Sequence, residues 1–321
     1  MTKATPVSEL VAGLRKGERR AVARLISLVE DGAEEASEAI REVYPLTGHA
    51  STVGLTGSPG AGKSSLIDGL VTRARRDEKS VGVIACDPTS PFSGGALLGD
   101  RVRMQTHALD EGVFIRSMAT RGHLGGLSLA APEAMRVLEA AGYDVVMVET
   151  VGVGQSEVEV AKQADTTIVV LAPGMGDAIQ AAKAGILEIA DIFCVNKSDK
   201  EGSSETVRDL RGMLELGHGR DPSWEIPIVP TSTVTEDGLD DLWGAIGAHE
   251  EHLRQEGRLE DRRRERFGAE IREIVGERLK AALERAAGAD VLDGLVDDVL
   301  ARTLDPYAAA EKLLQRFGIE A

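Results

Sequence analysis

Cysteine, aromatic residues, positive charge and long apolar runs are all scarce in this chain of 321 residues, and each scarcity excludes something. The two cysteines, Cys86 and Cys194, lie far apart, each inside an apolar, strand-like run. This predicts buried free thiols in a reducing compartment and argues against a disulfide or a cysteine-held metal. Six scattered histidines, with no C-x-x-C, C-x-C or His-rich tract, weaken the case for a carrier of nickel or cobalt. Aromatics make up 3%, too few for a base-stacking platform. Asp and Glu number 53 against 37 Lys and Arg, a net charge of -16. That surface repels nucleic-acid phosphate, although a salt-rich host would favour the same composition. No apolar run approaches the roughly 18–20 residues of a membrane span, so no membrane partner is expected. The opening MTKATPVSEL has no apolar run behind its lysine, so neither a signal peptide nor an Arg-rich transit peptide is expected, and a cytoplasmic location is.

What the chain does have is alternation. Hydrophobic residues at 42% and charged residues at 28% place it among globular proteins. Residues 1–50 read as helical, with Ser8 opening one helix and Ala21, Val22, Leu25 and Ile26 at helical spacing in another, until Pro45 and Gly48 break the pattern. From 51 to 247, seven apolar runs (51–57, 80–87, 112–118, 143–150, 166–173, 192–197 and 226–232) alternate with amphipathic stretches. Most are continuous, as expected of strands buried on both faces. The βαβ rhythm predicts an α/β fold with a mainly parallel central sheet flanked by helices. Residues 248–321 read as a charged helical arm, with Phe267, Ile271, Ile274, Val275 and Leu279 at helical spacing. Within it the run Arg262–Arg266 reads most simply as a solvated face, and a seam with a partner chain is the sharper alternative.

The strongest local signal is GSPGAGKS: Gly57, Ser58, Pro59, Gly60, Ala61, Gly62, Lys63 and Ser64, followed by Ser65. It fits G-x-x-x-x-G-K-[ST] between a strand and a helix, the phosphate-binding loop of nucleoside triphosphatases. Glycines let the backbone curl until its N–H groups converge on phosphate oxygens, and the helix start adds its positive end. Lys63 places a charge on the β- and γ-phosphates, and the Ser64 hydroxyl suits Mg²⁺.

The sixth run ends in Asn196, Lys197, Ser198 and Asp199. Guanine presents two adjacent donors, N1–H and the 2-amino group, and one carboxylate, Asp199, can accept both. Adenine would leave that carboxylate facing a lone pair, so the motif selects guanine. Asn196 can serve the other edge of the base and tie the loop down, and the Lys197 stem can cover one ring face. Thr231, Ser232 and Thr233, after the last strand, are suited to offer backbone contacts to the guanine O6.

The fourth run ends at Glu149, three residues before Gly152, where many GTPases carry D-x-x-G. There the acid holds the water shell of the metal and the glycine senses the γ-phosphate. Asp87 ends the second run and faces the same cleft by the strand-end rule. Asp100 lies in a glycine-rich segment able to fold back over the nucleotide. Ser64, Asp87, Asp100 and Glu149 are therefore the candidate Mg²⁺ ligands, directly or through water. No residue announces itself as the base that activates water, and phosphoryl transfer depends more on positioning and charge neutralisation. His123 reads as a histidine satisfied by loop hydrogen bonds or a partner contact rather than as a base.

Together GSPGAGKS, DPTSPFSGGALLGDR, MATRGHLGGLS, VETVGVGQSE, APGMGDAIQAAKAGILEIAD and VNKSD resemble the methylmalonyl-CoA mutase-associated GTPases, in order and over nearly the whole chain. The resemblance implies slow GTP hydrolysis and binding to an adenosylcobalamin-dependent acyl-CoA mutase. Methylmalonyl-CoA mutase is favoured, with cofactor loading gated and the mutase protected from inactivation. It also implies a homodimer formed through the C-terminal helices. By resemblance, Lys63 and Ser64 match the phosphate and metal positions, Asp87, Asp100 and Glu149 the acidic metal positions, and Asn196 and Asp199 guanine recognition. The stretch from Gly174 to Glu188 resembles a switch loop in which Asp177, Gln180 and Lys183 move toward the nucleotide when the mutase docks. Lys183 would then supply charge as an arginine finger does, joining Lys63 and Glu149 in catalysis. A metallochaperone GTPase for nickel or cobalt enzymes is the alternative. An ATP-using phosphotransferase conflicts with NKSD, and a secretion-targeting GTPase would call for a Met-rich domain that seven scattered methionines do not make.

Overall fold

Each of the seven apolar runs carries a strand: β1 (Ser51–Thr56), β2 (Val81–Pro88), β3 (Val113–Thr120), β4 (Val145–Glu149), β5 (Thr166–Leu171), β6 (Ile192–Val195) and β7 (Ile228–Pro230). They form one sheet in the order β3-β2-β4-β1-β5-β6-β7. Every pairing is parallel, so every strand delivers its carboxyl end to the same edge. The computed structural model describes residues 5–88, 105–107, 109–120, 130–150, 163–174, 189–216, 221 and 223–316. The chain divides into two compact units, Met1–Leu259 and Glu260–Ala321.

The continuous apolar runs are explained by two covered faces. Helices α1 (Val7–Arg15), α2 (Arg19–Glu30), α3 (Ala36–Val43) and α5 (Ala130–Ala140) share a core with Ile84, Phe114, Val146 and Val148. Helices α4 (Lys63–Arg76) and α7 (Leu239–Arg254) share a second core with Val53, Leu55, Val145, Met147 and Ile168. Successive residues of β4 thus enter opposite cores, and all five are buried. Helix α6 (Ser203–Leu216) packs Leu210 with Phe193 and Val195 in a third cluster.

Helix α2 buries Ala21, Val22, Leu25 and Ile26, as their spacing predicts. The first helix starts one residue before the expected Ser8. Pro6, with φ of -58°, stands at its cap, where a missing N–H costs nothing. The Arg19 guanidinium donates to the Val113 carbonyl at 2.7 Å and lies over the Phe114 ring, which fixes α2 on the β3 edge. Both cysteines are buried free thiols, and burial pushes the Cys194 thiol up to about 12. No helix among the described residues is long and apolar enough to cross a membrane.

At the amino ends of the strands, Trp224 packs between His249 and His252, with ring centroids 4.9 and 5.0 Å away. The Trp224 indole donates to the Asp191 carbonyl at 2.8 Å, and His252 Nε2 lies 2.8 Å from Asp221 Oδ2. Burial pushes the Asp221 carboxyl up, but hydrogen bonds from Ser223 and His252 outweigh it and bring the group to about 2. A carboxyl whose folded pKa lies below its unfolded 3.8 adds stability that is present above pH 4 and lost as pH falls toward 2. Asp221→Asn should therefore lower stability near neutrality by about 1 kcal/mol, or about 2–4 °C in Tm, after allowance for solvent screening. The difference from the parent should shrink steadily below pH 4 in a pH series of thermal melts. A difference that stays constant to pH 2 would refute this account.

The second unit contains most of α8 (Arg258–Leu300) and α9 (Pro306–Arg316). One line along α8 stays apolar and exposed: Ile271, Val275 and Leu279, then Leu292, Val296 and Leu300, each four residues from the last within its group. The basic run is not uniformly solvated as its composition suggests. Arg262 is buried while Arg264 is exposed, because the run winds around the helix rather than lying on one side.

Candidate functional site

The site lies at the carboxyl edge of the sheet, around β1, where the strand order turns. The chain leaves β1 at Gly57, whose φ is 135°. A Cβ there would stand 2.0 Å from the Val170 carbonyl oxygen of β5, so only glycine lets the loop leave between two strands. Gly62, at φ 93°, caps α4, and a Cβ there would meet the Asn196 amide nitrogen at 2.4 Å. Between them Ser58, Pro59, Gly60 and Ala61 make the loop, closed by the Ala61 N–H donating to the Ser58 carbonyl at 3.1 Å. Ser65 begins the exposed side of α4.

At the phosphate end, Lys63 is buried and its ammonium donates to the Gly57 carbonyl at 2.7 Å. The buried Ser64 hydroxyl donates to Glu149 Oε1 at 2.8 Å, so two of the four predicted metal ligands meet, one from α4 and one from the end of β4. A hydroxyl and a carboxylate at contact distance form a hard-oxygen donor set of the kind Mg²⁺ takes. The Asp87 backbone lies on β2, two residues past the partner of Glu149 in the sheet register. Its side chain lies outside the described residues, as do Asp100, His123, Gly152, Asp177, Gln180 and Lys183.

The guanine motif is tied to the phosphate loop by two side chains. The Asn196 amide, fully buried, donates to the Ala61 carbonyl at 2.8 Å, and the Lys197 ammonium donates to the Gly60 carbonyl at 2.6 Å. Lys197 takes φ of 59°, a left-handed backbone that a non-glycine residue adopts at a cost of about 1–3 kcal/mol. The loop after β7 completes the arrangement. The Thr231 hydroxyl donates to Asn196 Oδ1 at 3.2 Å, and the Ser232 hydroxyl donates to Asp199 Oδ1 at 2.7 Å. Asp199 itself is exposed, and Thr233, next to Ser232 in sequence, is half-buried. The sequence suits this loop to backbone contacts; in the structure its hydroxyls also hold the two side chains that are the candidates for reading the base.

Sequence reasoning missed Thr150. It is buried directly after Glu149, its N–H donates to the Leu55 carbonyl at 3.1 Å, and its hydroxyl meets that of Thr56 at 3.2 Å. The end of β4 is thus pinned to the last residue before the phosphate loop. A threonine at a strand end carries no signal of such a contact until the strand neighbours are known.

Comparison with known proteins places this arrangement in context. The family model for the methylmalonyl-CoA mutase-associated GTPase MeaB matches residues 22–288. A Pyrococcus abyssi protein whose name proposes a GTPase is 50% identical over 311 residues, covering 96% of each chain. The GTPase ArgK of Escherichia coli is 37% identical over 272 residues, covering 83% of this chain and 82% of its own. A crystal structure of a LAO/AO transport system kinase covers 99% of both chains at 28% identity, with a TM-score of 0.76.

Proposed function

This chain belongs to the methylmalonyl-CoA mutase-associated GTPase family, and we propose that it serves there as a GTP-driven chaperone of an adenosylcobalamin-dependent acyl-CoA mutase. It hydrolyses GTP on the fold of a phosphate-loop nucleoside triphosphatase. The finer reading is that it gates cofactor loading and protects the mutase from inactivation, with methylmalonyl-CoA mutase the favoured client. A Caenorhabditis elegans relative, 31% identical over 330 residues, is named as a mitochondrial methylmalonic aciduria type A homolog, which supports a client in methylmalonyl metabolism.

The observation that carries the reading is that Asn196 and Lys197 both reach the phosphate loop, giving one cleft with a guanine end and a triphosphate end. In it, Asp199 accepts the two guanine donors, steadied by Ser232, while Asn196 holds the base loop at a fixed distance from Ala61. Gly57 to Ser65 surround the phosphates with N–H groups, and Lys63 swings from the Gly57 carbonyl to the β- and γ-oxygens. Ser64 and Glu149, with Asp87 and Asp100, would hold Mg²⁺, which neutralises charge on the transferred phosphoryl group. Lys183, with Asp177 and Gln180, would join only in the complex with the mutase, so basal hydrolysis is slow and docking accelerates it.

We assign 51–247 to nucleotide handling and 1–50 and 248–321 to helical extensions. The exposed apolar line of α8 supports a homodimer through the C-terminal arm, since burying it against a second copy removes that surface from water. A cytoplasmic location goes with this reading.

The test uses the purified chain and the adenosylcobalamin-dependent mutase of the same organism. A nucleotide-dependent complex on size exclusion and a rise in GTP turnover of about tenfold or more are expected. Equal turnover with and without the mutase, together with capture of a hydrogenase or urease maturation factor by the immobilised chain, would replace the mutase by a metalloenzyme client.

A further inference from the structure

The helix that follows the phosphate loop is also joined to the turn after β7, through one arginine. Helix α4 begins at the phosphate loop and runs away from it against α7. The close approach is at Gly69, where a Cβ would stand 2.9 Å from a Leu239 methyl. One turn further on the same face is Arg73, only 4% exposed. Its Nε donates to Asp240 Oδ1 and its Nη2 to Glu236 Oε2, each at 3.1 Å. Asp240 lies in the first turn of α7. Glu236 lies in the turn between β7 and α7 and is held at φ 62°, which a glutamate does not adopt without compensation.

That turn is the one that aims the base reader. The Ser232 oxygen accepts the N–H groups of Val234 and Thr235 at 3.3 Å, and the Ser232 N–H donates to the Asp237 carbonyl at 3.0 Å. The same hydroxyl donates to Asp199 Oδ1 at 2.7 Å. A continuous path thus runs from Lys63 and Ser64 along α4 to Arg73, through Glu236 into the turn, and from Ser232 to Asp199.

We propose that Arg73 is a positioning residue for guanine recognition, fixing the spacing between the phosphate helix and the turn that aims Asp199. This rests on the reading of Asp199 as the guanine acceptor. A plain staple between two helices would need only Asp240. The second arm, to a strained glutamate inside the base-side turn, is what directs the tie at the nucleotide.

The experiment compares GDP with IDP, which lacks the 2-amino group, on the full chain. Arg73→Met and, from the solvent side, Glu236→Ala/Asp240→Ala, which removes both acceptors, should each speed fluorescent-GDP release about five- to tenfold and narrow the GDP-over-IDP preference by a similar factor. The KM for GTP should rise in step while kcat changes by less than about twofold. Arg73→Lys, able to reach one carboxylate at a time, should fall between. All three substitutions combined should do no more than either set alone, because they cut the same tie. The two partner carboxylates are largely exposed, so the double variant leaves the core untouched and remains informative if Arg73→Met fails to fold. Release rate and base preference unchanged in the double variant would overturn the proposal. Asp199→Asn is run beside it. If that variant also keeps its preference for GDP over IDP, the guanine reading itself has failed. If only Asp199→Asn responds, the guanine reading stands and the role of Arg73 falls.

Discussion

Asp199→Asn is expected to weaken GDP binding about a thousandfold and to improve binding of xanthosine diphosphate by a comparable factor. The reason is the direction of two hydrogen bonds. A carboxylate is acceptor-only and can take both the N1–H and the 2-amino group of guanine. Each hydrogen bond to a charged group contributes about 1.5–3 kcal/mol; the substitution loses the one to the 2-amino group, sets a donor against that donor, and removes the charge from the one to N1–H, for about 3–6 kcal/mol together, or two to four decades in Kd. The asparagine amide turns one acceptor into a donor, which faces the guanine amino group badly and the 2-oxo group of xanthine well. The structure makes this a clean experiment. Asp199 is exposed, so the substitution leaves the core alone, and the Ser232 hydroxyl can still donate to the amide oxygen and hold the side chain in place. The phosphate grip is untouched, so binding at millimolar nucleotide should persist. Calorimetry with GDP and xanthosine diphosphate reads both arms. A GDP affinity within about threefold of the parent would mean that the base is read elsewhere.

Much of this site could be read from the sequence because its chemistry is local. Gly57 to Ser64 are contiguous, and a strand before and a helix after them are enough to place the loop. Asn196 and Asp199 announce themselves by spacing at a strand end. The seven apolar runs give the strands because strands covered on both faces, such as β4, β5 and β6, are apolar along most of their length. What could not be read is whatever joins distant segments. Arg73 is one of five arginines between 73 and 103 that look alike in sequence, and only the packing of α4 on α7 singles it out. Thr150 and Thr56 are 94 positions apart and meet because β4 and β1 are neighbours. Thr231 and Ser232 were visible as part of a loop, but their hydroxyl partners follow from the register of β6 and β7. The first helix began at Val7 rather than Ser8 because the proline before it served as well as a capping side chain.

The second large effect concerns the acid at the end of β4. Glu149→Gln is expected to lower GTP turnover about a hundred- to a thousandfold at limiting Mg²⁺ and to raise the Mg²⁺ concentration needed for half-maximal rate by more than about tenfold. The substitution separates charge from hydrogen bonding. A glutamine oxygen can still accept from the Ser64 hydroxyl, which lies 2.8 Å from Glu149 Oε1, so the local packing survives. What is lost is the negative charge, in a place that is 6% exposed and therefore poorly served by solvent. Binding of GDP without Mg²⁺ should stay within about threefold of the parent, because that affinity comes from the loop N–H groups, Lys63 and the base. Ser64→Ala should give the same profile through loss of the other oxygen. The double variant should be scarcely worse than either single if both side chains act through the same cation, as proposed, because such effects are not additive. Rates measured across a Mg²⁺ titration decide the matter. Glu149→Gln turning over within about threefold of the parent at low Mg²⁺ would reduce this carboxylate to a cap on the Ser64 hydroxyl, and the metal would then have to be held from the Asp87 side of the cleft.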